Sequence, residues 1–413
     1  MNRVKDRNNA QYRFWLLIIM VGIAGFSQGM LLPVLAVMLE SIGVPAAYNG
    51  LNAAALYIGI LIASPFIEKP VRRYGYKPVI IIGLFLVVGS MLLFPIWQAF
   101  WFWFVLRVIV GIGDNMLHFA TQVWITSTST KEKRGRNIAI YGLAFGAGFG
   151  IGPLMTRLLD ISEFLPFIVA SATSALAWLF LLRLRNEWPD NEIETGAGYG
   201  TWDKYKTVLR LSWFPLLPPF GYGFLEASLH GNYPVYALRS GITVEWVSIL
   251  LPAFVIGSLV TQLPLGVLSD RYGRKNILLI VMLLGLLFFG IASIVESNKV
   301  ALLVAFTFAG ACIGSIFSLG ITYMADLLPK SLLPTGNVMA GVFFAVGSMT
   351  GPLVGGILID TVAEGSIYYA ICGMLLILIT SGLIFREHDI EDVQDIKDVQ
   401  DIKDVQDFQG YSR

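Results

Sequence analysis

Runs of about 20 mainly apolar residues recur along the whole chain and constrain its fold more than any other feature, because that length is what a helix needs to cross a bilayer. A search with a window of about 19 residues finds twelve such runs. They lie at 14–38, 48–67, 78–95, 99–125, 137–159, 164–183, 210–236, 246–267, 276–295, 300–325, 334–359 and 366–385. We therefore predict an all-α membrane protein with twelve transmembrane helices.

The composition leaves no room for a large soluble domain beside these spans. Only 14% of the 413 residues are charged, whereas a soluble domain carries roughly 25%. The net charge is +1, and Lys and Arg lie in short clusters between the apolar runs rather than across a whole domain. These observations exclude a water-soluble enzyme and argue against a nucleic-acid partner.

Basic residues alternate between the two sides of the predicted membrane spans. The amino terminus and the connections after spans two, four, six and eight are basic, with clusters at 69–77, 131–136, 183–210 and 271–275. The opposite connections hold mainly acidic residues, namely Glu40, Asp160, Glu163, Glu245, Glu296, Asp360 and Glu364. By the positive-inside rule both termini face the cytoplasm. We expect a multi-pass protein of the inner or plasma membrane.

The longest connection divides the spans six and six. It contains a polar stretch from Asn186 to Gly200. We predict an N-terminal half at 1–185, a cytoplasmic linker at 186–209, a C-terminal half at 210–386 and an acidic tail at 387–413. The tail repeats Asp-Val-Gln-Asp-Ile-Lys, and such repetitive acidic segments are usually disordered.

Two separate motifs recur at nearly the same distance along the chain. Gly75 aligns with Gly273 at 198 residues, and Gly152-Pro153 aligns with Gly351-Pro352 at 199 residues. Halves repeated in the same orientation are typical of transporters whose substrate site lies between the halves near the membrane midplane.

With these motifs the chain resembles the major facilitator superfamily over all twelve spans, and among its members the twelve-helix bacterial drug/proton antiporters. The loop motif Gly-x-x-x-Asp-Arg-x-Gly-Arg-Lys comprises Gly266, Asp270, Arg271, Gly273, Arg274 and Lys275. The fourth span carries Arg107, Gly111 and Gly113, and the fifth carries Gly142, Gly146, Gly150, Gly152 and Pro153, similar to the antiporter motif. The resemblance implies the major facilitator fold and alternating access.

The first copy of the loop motif keeps Arg73 and Gly75 but has Glu68 in place of Gly and Arg72 in place of Asp. The family's charge-relay role for this aspartate can therefore fall only to Asp270. We expect Asp270 to form a cytoplasmic latch with Arg271 and Arg274.

The Gly-Pro motifs also depart from the family pattern, because the Gly pair expected after Gly152-Pro153 follows Gly351-Pro352 instead. We expect both prolines to bend their helices where the halves rock. Glycines at every fourth position, Gly142, Gly146 and Gly150, predict a groove that admits a neighbouring backbone. Simple helix packing is the alternative interpretation of both features.

Ionisable residues inside the spans are the best candidates for function, since each costs about 2.5–3.5 kcal/mol or more at a helix centre. Arg107, Asp114 and His118 share one face of the fourth span, and Glu226 lies between Tyr222 and His230 in the seventh. The resemblance implies that spans one, four, seven and ten line a central cavity. Gln28 and Tyr323 are further candidates for hydrogen bonds there.

For proton coupling we predict Glu226 ahead of Asp114. Arg107 and His118 lie on the face of Asp114, and a nearby cation favours an ionised carboxyl, whereas burial favours the protonated form of Glu226. Two alternatives stay open. Arg107 could reach across the cavity to Glu226 and reverse the order, or it could form a static buried ion pair with either carboxylate.

The favoured function is secondary active transport by alternating access, specifically proton-coupled efflux of amphipathic, drug-like small molecules. The alternatives are uptake of a small polar nutrient by proton symport and a lipid flippase. An intramembrane serine protease is a remote alternative, suggested by the elbow-like pattern around Ser27, but that pattern lies inside an apolar helix. We thus predict a non-enzymatic monomer without catalytic residues, metal or cofactor, whose partners are the substrate, protons and the lipid bilayer.

Overall fold

The computed structural model describes residues 2–189, 201–362 and 366–386, and within these residues the chain forms α-helices, short 3-10 helices and no strand. The helices of the first half are α1 (Asn2–Ser41), α2 (Ala46–Ala63), α3 (Glu68–Tyr74), α4 (Tyr76–Leu93), α5 (Phe100–Ser127), α6 (Lys131–Ile151) and α7 (Leu165–Leu182). Those of the second half are α8 (Thr201–Gly231), α9 (Tyr233–Arg239), α10 (Val244–Tyr272), α11 (Arg274–Ile294), α12 (Lys299–Ile313), α13 (Ile316–Leu327), α14 (Leu333–Val362) and α15 (Ser366–Ile384).

The predicted all-α membrane fold is confirmed. Within the described residues, 11 helical segments are long and apolar enough to cross a membrane. The seventh predicted span, 210–236, lies mainly in α8, where Glu226, three glycines and three prolines lower the mean hydropathy. With α8 included, the predicted twelve crossings are accounted for.

Two spans are interrupted at small residues. In the fifth span α6 ends at Ile151, and a 3-10 helix continues from Gly152 to Asp160. The tenth span is divided at Gly314 and Ser315, between α12 and α13. Pro352, by contrast, lies inside the unbroken helix α14, so the two Gly-Pro motifs sit in different backbone structures.

The two halves pack equivalent helices through equivalent glycines. A β-carbon at Gly148 of α6 would lie 1.9 Å from the carbonyl oxygen of Gly22 in α1. A β-carbon at Gly347 of α14 would lie 2.0 Å from the carbonyl oxygen of Phe220 in α8. The helix pairs α1–α6 and α8–α14 therefore make the same close backbone contact, as an internal repeat requires.

The predicted register of the groove in the fifth span is wrong. A β-carbon at Gly142 would have no atom of the described residues within 4 Å, and Gly146 and Gly150 face side chains of α10. The close backbone contact is made by Gly148 and Gly152 instead, which lie on the face of the helix toward α1. Sequence spacing alone does not fix how a helix is rotated toward its neighbours.

Replacing Gly148 by Ala should destabilise the protein, while replacing Gly142 by Ala should not. The first change forces a methyl group against the backbone of α1, which costs about 1–3 kcal/mol or more, whereas the second adds a methyl group in open space. Thermal unfolding of the two purified variants in detergent checks this. Equal melting temperatures for both variants would contradict the packing described here.

Parts of the predicted domain division lie outside the described residues. These are 190–200 of the linker and the acidic tail, 387–413. The last part of the linker, from Thr201, is helical and leads into α8 through a kink at Ser212. Asn186 and Glu187 pack on the first half, where the Asn186 side chain accepts a hydrogen bond from the Lys77 amide at 3.1 Å. The domain boundaries stay predictions.

Candidate functional site

A cavity of about 520 Å³ lies between α6 of the first half and α8, α10, α13 and α14 of the second half. Its walls are mostly apolar and aromatic, with a few polar side chains. The aromatic side chains are Tyr141, Phe145, Phe149, Tyr222, Phe254, Phe317 and Phe344, and the polar ones include Glu226, His230, Ser258, Gln262 and Ser318. Among the lining residues that the structure describes, Glu226 is the one acidic side chain.

Glu226 is held by residues one turn away on its own helix. The hydroxyl group of Tyr222 donates a hydrogen bond to the Glu226 carboxylate at 3.1 Å. Nδ1 of His230 donates to the backbone carbonyl of Glu226 at 3.0 Å. The spacing of four residues in an α-helix places these three side chains on one face, as the sequence predicts. All three line the cavity, so a carboxylate with a phenol donor faces its interior.

Asp114 and Arg107 are buried in the first half and are not among the cavity-lining residues. One guanidinium nitrogen of Arg107 donates to the side-chain oxygen of Asn52 at 2.9 Å. The other two guanidinium nitrogens and both carboxylate oxygens of Asp114 have no hydrogen-bond partner among the described residues. Within this part of the chain Arg107 forms no ion pair with Asp114 or Glu226, so the static pair proposed as an alternative is not formed here.

An aromatic stripe on α6 separates the polar faces of the two halves. Tyr141, Phe145 and Phe149 recur every four residues and all three line the cavity. The hydroxyl of Tyr141 lies 2.7 Å from Nδ1 of His118, and the ring of Phe149 lies 4.6 Å from the ring of His230. The stripe was not predicted, although its helical spacing is visible in the sequence, because aromatic residues are common on the lipid faces of membrane helices.

The remaining cavity candidates occupy other places in this conformation. His118 is covered by Tyr141 and Phe145. Gln28 is buried within α1, and the ring of Tyr323 packs against Phe214 and Phe385 in the second half. Together with Arg107, these side chains do not line the cavity, and their predicted roles stay predictions.

The two halves are joined at the end of the bundle that carries the acidic connections, which we call the acidic end. Arg239 of α9 donates to both carboxylate oxygens of Glu40 in α1, at 2.8 and 3.0 Å, and also to Asp360 of α14 at 2.9 Å. Asp360 in turn accepts from the backbone amides of Ala46 and Ala47 at the start of α2. Hydrogen bonds from Arg239 to Glu40 raise the pKa of Arg239 above its usual value, so this cation stays charged.

A second cross-link at the acidic end joins the fifth and eighth spans. Arg157, in the 3-10 helix after α6, donates to the hydroxyl of Ser248 in α10 at 2.7 Å. Nearer the cavity, Gly150 packs against the side chain of Val255, so α6 and α10 are in contact here. The cavity is closed toward the acidic end.

Toward the opposite, basic end, the cavity continues to Ile138 of α6 and Leu263 of α10. The ion pairs of the loop motif at this end remain inside the second half. Arg274 contacts Asp270 at 2.5 Å and Asp326 of α13 at 2.8 Å. These ion pairs therefore do not connect the two halves across the mouth of the cavity.

The other residues of the loop motif have local partners. The guanidinium of Arg271 lies over the ring of Tyr272, and Nζ of Lys275 donates to the carbonyl of Phe385 at 2.5 Å. Gly273 has a φ of +92°, and Gly75, its counterpart in the first copy, has a φ of +86°, so both copies need glycine at this turn. Gly266 has open space around it, and Arg73 lies over Tyr74. The proposed latch function stays a prediction.

Comparisons with known proteins agree with this architecture. The profile of the Major Facilitator Superfamily matches residues 17–251 and residues 220–401. The MFS-type transporter YfkF of Bacillus subtilis (strain 168) is 48% identical over 362 residues, which cover 88% of this chain and 92% of YfkF.

Two solved structures share the fold. The nucleoside transporter NupG has a TM-score of 0.73 at 14% identity, covering 91% of this chain and 100% of that chain. A bacterial homologue of the human lysosomal transporter Spinster, inward-facing and unoccupied, has a TM-score of 0.67 at 14% identity, covering 91% of this chain and 95% of its own. Sequence identities this low support a shared fold but do not indicate a shared substrate.

The profile matches extend across both six-span halves, and YfkF is similar along nearly the whole chain. The repeated glycine contacts and the cavity between the halves fit the same architecture. The protein therefore belongs to the Major Facilitator Superfamily, and it is a membrane transporter of small molecules and not an enzyme.

Proposed function

We propose that the protein exports amphipathic, drug-like molecules from the bacterial cell in exchange for protons, working as a monomer in the cell membrane. The observation that carries the proposal is the cavity itself, whose largely aromatic and aliphatic walls hold one acidic side chain among the described lining residues, Glu226. Aromatic walls favour apolar parts of a ligand, and a carboxylate among them favours a basic group. A small polar nutrient would need more hydrogen-bonding partners than these walls offer.

A carboxylate in such a cavity supports exchange rather than symport. Protonated Glu226 is neutral and suits an apolar surrounding, while ionised Glu226 suits a bound cation. The two ligands therefore compete for one group, so a substrate that binds from the cytoplasm releases a proton there. The change to the outward-facing state then carries the substrate across the membrane, and protonation of Glu226 from the outside releases it.

The cavity's direction fits this cycle. The basic end is cytoplasmic by the positive-inside rule, and the cavity continues toward that end while the acidic end is closed. The described conformation is thus the one that loads substrate from the cytoplasmic side in an exporter.

Dye accumulation tests the proposed function. Cells that produce the protein should accumulate less ethidium and less tetraphenylphosphonium than cells that lack it, and a protonophore should remove the difference. Both probes are amphipathic cations, so they match the cavity. Equal accumulation in the two strains would contradict the proposal, and higher accumulation in the producing strain would indicate uptake.

A further inference from the structure

We propose that the cavity has a lateral window between α6 and α10, through which amphiphiles dissolved in the cytoplasmic leaflet reach Glu226 directly from the bilayer. The window is framed by Leu143 of α6 and Leu263 of α10. This inference rests on the proposed function, because such a route serves a protein that moves membrane-dissolved substrates.

Leu263 belongs both to the cavity wall and to the lipid-facing surface of α10. Ile256, Val260, Leu263 and Val267 are spaced by four, three and four residues, which places them on one helical stripe. All four are exposed apolar side chains in a membrane span, with Leu263 at 72%, and this stripe faces lipid. Because Leu263 also lines the cavity, the cavity extends to the outer surface of the helix.

Leu143 occupies the matching position on α6. Ala147 and Ile151 lie four and eight residues after Leu143, about one and two turns further along the same stripe, and both are exposed. Leu143 is itself 42% exposed and lines the cavity. The cavity wall of α6 therefore turns from the inward-facing Tyr141 to the lipid-facing Leu143.

The position of the window in the bilayer follows from its distance to the basic end. Leu143 lies seven residues after Arg136, and Leu263 lies eight residues before Arg271, which corresponds to about 10–12 Å along a helix. The hydrocarbon core is about 30 Å thick, so the window lies within its cytoplasmic half. Toward the acidic end the gap closes, because Gly146 and Gly150 pack against Leu259 and Val255.

The residues that frame the window on α6 favour an apolar ligand. The lining residues beside the window on α6 are Ile138, Ala139 and Gly142, and none of them carries a charge or a hydrogen-bonding side chain. On α10 the lining residue next to Leu263 is Gln262, whose side-chain amide donates to the hydroxyl of Ser318 at 3.2 Å. Water-soluble nutrients gain nothing from the α6 side of the frame, while the hydrocarbon part of an amphiphile passes it without losing contacts with apolar groups. The basic group of the amphiphile then meets Glu226 inside.

Labelling of a cavity residue from the lipid phase tests the window. The reporter is Ser318→Cys, which lines the cavity on α13, in a protein whose native cysteines are replaced, Cys312→Ser and Cys372→Ser. The purified protein in nanodiscs is treated either with pyrenyl maleimide dissolved in the bilayer or with a water-soluble sulfonated maleimide. Leu143→Trp and Leu263→Trp should each slow labelling by the bilayer reagent several-fold and leave labelling by the aqueous reagent unchanged.

Val260→Trp is the matched control, because Val260 is exposed on the same stripe but does not line the cavity. It should change neither rate. Unslowed labelling by the bilayer reagent in both window variants, or equal slowing of both reagents, would overturn the proposal. Labelling needs no transported substrate, so this outcome is independent of whether the protein exports dyes.

Discussion

Glu226→Gln should reduce dye export to the level of cells without the protein while leaving the protein folded, and it should weaken binding of a cationic dye because the carboxylate that pairs with the cation is lost. Glutamine keeps the size and the hydrogen bond to Tyr222 but cannot take up or release a proton. Among the described residues that line the cavity, Glu226 is the one acidic side chain, so none of the others can take over its proton. Export measured against an imposed pH gradient in proteoliposomes checks the loss, and substrate-induced tryptophan quenching checks binding.

Two controls distinguish coupling from general damage. Ser318→Ala changes a polar lining residue of the same cavity and should retain most of the export. Asp114→Asn changes a buried carboxylate that does not line the cavity, and it should retain its response to pH. If Glu226→Gln exports dye as fast as the wild type under the same gradient, Glu226 is not the coupling residue.

Arg239→Gln should shift the protein toward conformations that are open at the acidic end. Arg239 makes a bidentate pair with Glu40 across the two halves and contacts Asp360, which holds the start of α2. Its side chain is partly exposed, so solvent screens the pairs, and we assign them about 1 kcal/mol together. A change of that size corresponds to a roughly fivefold shift between the two states.

The shift can be measured as a distance between spin labels. Ile42→Cys in the first half and Val300→Cys in the second are exposed positions at the acidic end, suited to labelling in the protein without its native cysteines. Arg239→Gln should increase the population at the longer distance. Lys299→Gln is the matched control, because Lys299 lies over Trp246 of its own half. An unchanged distance distribution in Arg239→Gln would show that the contact does not hold the acidic end closed.

The fold was largely predictable because its signals are local or repeated. Long apolar runs define the spans, and the paired motifs at Gly75 and Gly273 reveal the two halves without any knowledge of packing. Glycine at these two positions follows directly from the backbone, since both have a positive φ. The break between α12 and α13 was not predicted, because residues such as Gly314 and Ser315 also occur in unbroken membrane helices.

Only the part of the candidate site that α8 contributes was predictable from the sequence. The signal there is a carboxylate inside an apolar span, Glu226, with Tyr222 and His230 on the same helical face. Which face of α6 meets the cavity depends on the rotation of that helix against α1, and this is set by Gly148 rather than by Gly146. For the same reason the sequence did not show that the aromatic stripe of α6 lines the cavity.

Proton release on substrate binding tests the central claim most directly. Tetraphenylphosphonium is added to purified protein in a weakly buffered detergent solution near neutral pH, and the released protons are measured with a pH indicator. We expect release from the wild type and from Asp114→Asn and none from Glu226→Gln. Release that persists undiminished in Glu226→Gln and vanishes in Asp114→Asn would contradict the assignment of coupling to Glu226 and move it to Asp114.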